Sequence, residues 1–241
     1  MPKVEIRILF ENESFLFINK PSGLSVHQDG INEEYTLSEW ILEKYPALEG
    51  IGEDMISEKG VSIKRPGIVH RLDKETSGVL LIVKTKDAFN FTKKAFQERV
   101  IEKVYCGIVH GNVKKDEGEI SLPIGRSTQD PRKRAAKKKG KVKDALTRYK
   151  VLERFQELSY LEIYPKTGRT HQIRVHLNSI GHPVLCDSLY AERLKCPEEF
   201  GRLALHASSL GITIPNGEKL LVEAPIPPLF TDFLEKQKSL W

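Results

Sequence analysis

The chain has 241 residues, 39% of them apolar and 29% charged, enough for one large domain or two small lobes around a buried core. No apolar run approaches the roughly 20 residues of a membrane helix, and the N-terminus lacks the regions of a signal peptide. A cytoplasmic protein without membrane association is therefore expected. The three cysteines, Cys106, Cys186 and Cys196, are sparse and odd in number, which argues against a disulfide framework. Neither C-x-x-C nor H-E-x-x-H spacing occurs, so no metal site is expected. The net charge of +5 is unevenly spread. Residues 132–143, RKRAAKKKGKVK, hold eight basic residues and no acid, and the rest of the chain is net acidic. Such a block suits a polyanion, although a solvated flexible loop has the same composition.

In chain order, VEIRILF (4–10) and SFLFIN (14–19) read as strands separated by a polar turn. KPSGLSVH (20–27) reads as a shaped loop. Thr36 or Ser38 can cap a short helix through Trp40 and Ile41 that ends before Pro46. The stretch 46–66 reads as an irregular surface excursion. GVLLIVKT (78–85) is a buried strand by its unbroken apolar character. Asp87 can cap the following helix, whose stripe is Ala88, Phe91, Ala95 and Phe96. KVYCGIVHG (103–111) is a strand with Tyr105 on the opposite face from Val104, Cys106 and Ile108. Strands follow at 144–153 and 157–164. A helix lies within 167–181, closed by Gly181. Strands near 204–214 and 219–224 precede a terminal helix. Short turns predominate over helical crossovers, which predicts an α+β fold with a mainly antiparallel sheet. The chain is read as a single domain over 1–241 with the basic loop 132–143 inside it; a boundary near 130–143 is the alternative.

Two segments carry chemistry. In HRLDKETSG (70–78), Asp73 sits at the mouth of a buried strand, well placed for nucleophilic or base chemistry. The plainer alternative is a turn aspartate capping the amides of Thr76 or Ser77. TGRTHQIRVH (167–176) gathers Arg169, His171, Gln172, Arg174 and His176 beside apolar neighbours. His171 and Arg174 are three apart and can share a helix face. These polar residues either line a cleft or form a solvated face.

Together HRLDKETSG and TGRTHQIRVHLNSIGHPVLCD resemble the two signature blocks of the RluA-type pseudouridine synthases. KPSGLSVH, KVYCGIVHG and LHASSL (205–210) match the same pattern, in the same order, across 14–225. The resemblance implies a catalytic domain built on a long, curved, mainly antiparallel sheet with flanking helices and a central RNA-binding cleft. It implies isomerisation of uridine to pseudouridine in structured RNA, ribosomal or transfer, by base flipping. It carries the catalytic roles to Asp73, the essential carboxylate; Tyr105, the aromatic packing on uracil; and Arg174, the cation paired with the aspartate. Substrate contacts fall to Arg71 and Arg169, to Leu205 as an apolar pocket wall, and to Lys137, Lys138 and Lys139 of the basic segment. Many members carry an S4-type RNA-binding domain ahead of this one. This chain starts almost at the first catalytic strand, so RNA affinity is expected to come from the catalytic domain itself.

The chemistry suits these residues. A stacked uridine must be flipped out before its glycosidic carbon can be reached. Phosphate contacts then hold the strand, and an aromatic face holds the base. Tyr105 can supply that face, or be an ordinary strand tyrosine. A carboxylate in a closed pocket tends to keep its proton, and a paired arginine opposes this. Attack on ribose, attack on uracil C6 and removal of the C2′ proton all remain open. No cofactor or metal is needed, and the expected working unit is a monomer. Two rivals are a non-catalytic RNA-binding protein and a hydrolase using Asp73 with His70 or His171.

Overall fold

The computed structural model describes residues 5–28, 34–57, 60–137 and 139–239. In chain order the elements are β1 (Arg7–Glu11), β2 (Phe15–Lys20), α1 (Leu37–Lys44), β3 (Met55–Ile56), β4 (Ser62–Ile63), β5 (Ser77–Val83), α2 (Lys86–Gln97), β6 (Glu102–His110), β7 (Glu117–Ser121), β8 (Ile124–Arg126), β9 (Arg134–Ala136), β10 (Val142–Lys143), β11 (Leu146–Arg154), β12 (Leu158–Pro165), α3 (Gln172–Ser179), β13 (Leu205–Thr213), β14 (Lys219–Glu223) and α4 (Pro228–Lys238). This is the expected α+β class. The chain divides into two compact units, one of residues 1–102 and 209–224, the other of 103–208 and 225–241. The basic segment falls within the second of these units.

In the first unit, β2 pairs antiparallel with β1 on one side and β5 on the other. Every residue of β5 is buried, as its unbroken apolar sequence requires. Leu81 and Val83 of β5 pack with Phe15 and Phe17 of β2, with Ala88 and Phe89 of α2, and with Val222 of the antiparallel hairpin arm β14. The cap of α2 is Thr85, not Asp87: the Ala88 amide donates to Thr85 Oγ1 (3.2 Å). The helix therefore starts earlier than the sequence suggested, with Asp87 in its first turn, where a carboxylate favours the helix dipole. At α1 the Glu39 carboxylate accepts from the Thr36 amide (2.6 Å), a capping-box contact. The excursion 46–66 contains the short pair β3–β4.

In the second unit the antiparallel order is β7–β11–β12–β6. Ile108 of β6 and Leu161 and Ile163 of β12 lie in a core with Leu177 of α3 and Phe230 and Phe233 of α4. Phe200 meets both α4 rings edge-on at 5.2 and 5.1 Å. A second, three-stranded sheet places β8 between β9 and β10. The basic segment thus contributes two short strands, β9 and β10, to a sheet. Ile124 and Ala136 of this sheet pack on Val175 of α3. Cys186 and Cys196 form a disulfide, a bridge that the sparse cysteine count did not suggest.

Candidate active site

The Asp73 loop belongs to the first unit and is held from beneath by the KPSGLSVH segment. Lys20 is fully buried. Its ammonium donates to the carbonyls of Pro21 (2.8 Å), Leu24 (2.8 Å) and Lys74 (3.0 Å). A buried ammonium needs such acceptors, because an unsolvated charge is costly. The Lys74 carbonyl also accepts from the Gly23 amide (2.9 Å), and Ser22 Oγ donates to the Glu75 carbonyl (2.7 Å). Gly23 has φ +85°, a conformation that glycine adopts without strain. The backbone on the C-terminal side of Asp73 is therefore fixed through the Lys74 and Glu75 carbonyls, while Asp73 itself is half-buried. The Thr76 amide donates to the Asp73 backbone carbonyl (3.1 Å).

Arg71 is exposed, and its Nη1 donates to His27 Nε2 (3.2 Å). His27 Nδ1 lies 2.8 Å from the Gln28 carbonyl. A carbonyl only accepts, so Nδ1 carries the proton and Nε2 offers its lone pair to Arg71. His70 has a different duty. Its Nε2 accepts from the Leu81 amide (2.9 Å) and its ring stacks on Phe96 at 4.7 Å, which occupies the nitrogen that a hydrolytic base would use.

The remaining sequence-predicted residues belong to the second unit. Tyr105 is half-buried on β6 opposite Ile163 of β12. Leu205 is buried against Gly107, where a β-carbon would come within 3.4 Å of Leu205 and 3.2 Å of Ile163. Burial pushes the neighbouring Cys106 thiol up to about 11, so it is no nucleophile at neutral pH.

Helix α3 buries every residue from Gln172 to Leu177, so its polar residues are not a solvated face. Gln172 Oε1 accepts from Thr167 Oγ1 (2.6 Å) and the Arg169 amide (3.0 Å). Its amide group donates to the Leu146 carbonyl and to Thr147 Oγ1, both at 3.0 Å. His176 Nδ1 meets Thr147 Oγ1 and its Nε2 meets the Leu122 carbonyl, both at 2.9 Å. Burial holds the His176 pKa below the ordinary histidine value, so the imidazole is neutral. Gln172 and His176 thus fasten the helix to β11. Arg169 donates from Nε to the Asp144 carbonyl (3.1 Å).

Arg174 Nε and Nη2 each donate to one Asp187 oxygen at 2.7 Å. The two side chains are 5% and 0% exposed, so this is a buried bidentate pair. The family resemblance pairs Arg174 with Asp73 and assigns no role to Asp187. Asp187 Oδ1 also accepts from the amides of Leu189 (2.9 Å) and Tyr190 (3.1 Å). The Tyr190 ring centroid lies 5.2 Å from the Arg174 guanidinium. His171, at φ +55°, has its Nδ1 3.0 Å from the Tyr190 hydroxyl, so His171 and Arg174 do share a neighbour. Of these partners only Asp187 falls inside a segment that the sequence singled out, at its last position.

In the basic segment, Arg132 pairs with Asp130 (2.8 Å) and holds that carboxyl down to about 2. Lys133 pairs with Glu192 (3.0 Å), and Lys137 Nζ donates to the Arg126 carbonyl (2.7 Å). Lys139, Lys141 and Lys143 are exposed and make no ion pair among the described residues. Lys138 lies outside the described residues. The described residues contain no cluster that could hold a metal and no helix long and apolar enough to cross a membrane.

A family model described as RNA pseudouridylate synthase matches residues 14–179. An uncharacterised RNA pseudouridine synthase of Synechocystis is 37% identical over 96% of this chain and 68% of its own length. The ribosomal large subunit pseudouridine synthase D of Nitrosomonas europaea is 37% identical over 98% of this chain and 67% of its own length. Among solved structures, human RNA pseudouridylate synthase domain containing 4 superposes with a TM-score of 0.73 at 25% identity, covering 96% of this chain and 92% of that one. Human RNA pseudouridylate synthase domain containing 1 gives 0.72 at 26% identity, over 94% and 86%.

Proposed function

The chain belongs to the RNA pseudouridylate synthase family, and is therefore an isomerase, and on that premise we propose that it modifies uridine in ribosomal RNA with Asp73 as the catalytic carboxylate. The observation that carries the reading is the Asp73 loop. It lies inside the matched span and is held by backbone acceptors gathered on the buried Lys20. A reacting carboxylate needs a rigid support to keep its aim. The ribosomal target is favoured over transfer RNA by the relatives named as large-subunit enzymes.

In this reading the protein supplies four things. A flipped uridine stacks on Tyr105, which supplies about 1–3 kcal/mol through base–aromatic contact. Asp73 acts at the ribose or at uracil while the detached base is retained. Arg174, held by Asp187, is assigned to the chemical step as a buried positive charge fixed in direction. Arg71 and Arg169, with the lysines of the basic sheet, contact phosphates, which position the strand without reading bases. The reaction conserves every atom of the substrate, so it needs no redox partner. A monomer suffices for all of these roles.

The test is Asp73→Asn, which preserves shape and removes the charge. Pseudouridine formation on ribosomal RNA should fall below detection while RNA affinity stays within a few fold. Turnover by the variant, or loss of binding in parallel with activity, would defeat the assignment. Mapping pseudouridines in total RNA with and without the protein identifies the target, and a site in transfer RNA alone would overturn the ribosomal part.

A further inference from the structure

The loop between Cys186 and Cys196 is closed covalently by their disulfide, and Tyr190 stands inside it. Three parts of the second unit meet on this one half-buried side chain. Its ring lies beneath the Arg174 guanidinium, at 5.2 Å. Its hydroxyl accepts from the Arg134 amide of β9 (2.8 Å) and lies 3.0 Å from Nδ1 of His171, the residue just before α3. The same ring packs with Ile124, Ala136 and Val175, the apolar contact between the basic sheet and the helix.

These contacts divide into two functions. Asp187 grips Arg174 with two hydrogen bonds, which fix the guanidinium within its own plane. They leave tilting out of that plane less restrained. An aromatic face under the guanidinium opposes that tilt, and a cation over a ring is held there electrostatically. The hydroxyl acts elsewhere. It bonds a backbone amide on β9, the strand that leads into the lysines of the basic segment. It also steadies His171 in a left-handed conformation that non-glycine residues seldom adopt.

We propose that Tyr190 is a positioning residue with two separable parts, a ring that orients Arg174 and a hydroxyl that docks the basic sheet onto the Arg174-bearing helix. The proposal rests on the preceding reading, in which Arg174 serves the chemical step and the basic sheet serves RNA affinity. It adds a physical link between them that neither signature block contains.

Two variants separate the parts. Tyr190→Phe keeps the ring and removes the hydroxyl. The KM for RNA should rise about fivefold, the size of one hydrogen bond, with kcat within about twofold. Trypsin should cut within the lysine-rich 132–143 segment faster than in the wild type. Tyr190→Leu removes the ring as well, and kcat should fall a further tenfold or so. A Phe variant with wild-type KM and wild-type trypsin cleavage would overturn the docking role. A Leu variant with the kcat of the Phe variant would overturn the orienting role. Should the wild type form no pseudouridine in any RNA, the functional reading fails, and the trypsin comparison still decides whether the hydroxyl docks the sheet.

Discussion

Arg174 and the lysines of 139–143 carry the same charge in the same unit, yet their surroundings have little in common. Arg174 is buried, bonded at two nitrogens to Asp187 and faced by Tyr190. Lys139, Lys141 and Lys143 are exposed and without an ion pair among the described residues. The protein thus fixes one cation in direction and leaves a group of others solvated at their tips. A fixed charge suits a reacting centre, where misplacement is costly. A loose group suits a phosphate backbone, whose attraction is summed over contacts and carries no base choice. The contrast predicts large structural consequences for one region and almost none for the other.

The largest effect is expected from Arg174→Leu. It leaves Asp187 buried without its cation, and removing one partner of such a pair costs about 3–5 kcal/mol. Denaturant unfolding should show that loss, alongside loss of pseudouridine formation. Combining it with Asp187→Asn removes the stranded charge, while the amide oxygen can still accept from Leu189 and Tyr190. The double variant should recover much of the stability and none of the activity. Recovery of both would mean that Arg174 has only a structural role; recovery of neither would mean that the pair is not the source of the stability.

A smaller effect tests the hydrogen-bonded support of the helix. Burial lowers the His176 pKa in the folded protein, and also that of half-buried His110. The unfolded chain therefore binds protons that the folded chain refuses. Stability is full above about pH 6.5, the ordinary histidine value. It falls as pH drops below that value towards the folded-state pKa. Each histidine contributes a slope of at most about 1.4 kcal/mol per pH unit. Unfolding measured from about pH 7.5 to about pH 5, a range that brackets the ordinary histidine value, should show the decline, and His176→Asn should make it shallower. An unchanged slope in that variant would show that His176 does not titrate between the two states.

How much of this was legible depended on distance along the chain. The unbroken apolar run of β5, the strand around Tyr105 and the helix inside 167–181 all announce themselves locally. The Asp73 loop was visible as an unusual string of residues. Its support was only half visible, because Lys20 acts by donating to backbone carbonyls, which no side-chain pattern reveals. Asp87 looks like the α2 cap from its local sequence, but Thr85, two positions earlier, is an equally good capping residue and is the one that accepts from the Ala88 amide. Asp187 stands at the end of the second signature block, 13 residues from Arg174, and nothing in its local sequence shows that the two side chains pair. The basic sheet was missed for another reason. Its strands have two or three residues each, too few to show alternation, and a lysine-rich composition reads as solvated chain. Their order comes from packing on Val175 and from Tyr190, both supplied by distant sequence.

The smallest structural effect, and the sharpest contrast with Arg174, is expected from neutralising Lys139, Lys141 and Lys143 together as glutamines. Their exposed side chains make no ion pair among the described residues, so the unfolding free energy should move by less than about 0.5 kcal/mol. RNA binding should weaken across unrelated sequences, because phosphate contacts do not discriminate between bases. The diagnostic quantity is salt dependence. Disengaging one phosphate of a single-stranded RNA lowers the log–log slope by roughly 0.7, so removing all three charges should flatten it by about 2. Arg132 and Lys133 are already paired with Asp130 and Glu192, so their replacement should flatten the slope less per charge. Turnover at saturating RNA should be retained, since none of these lysines is assigned to the chemical step. An unchanged slope in the triple variant would mean that the basic sheet does not touch RNA, and would move the affinity surface to Arg71 and Arg169. A large loss of stability would mean that these lysines are as firmly built in as Arg174, and the contrast between the two regions would fall.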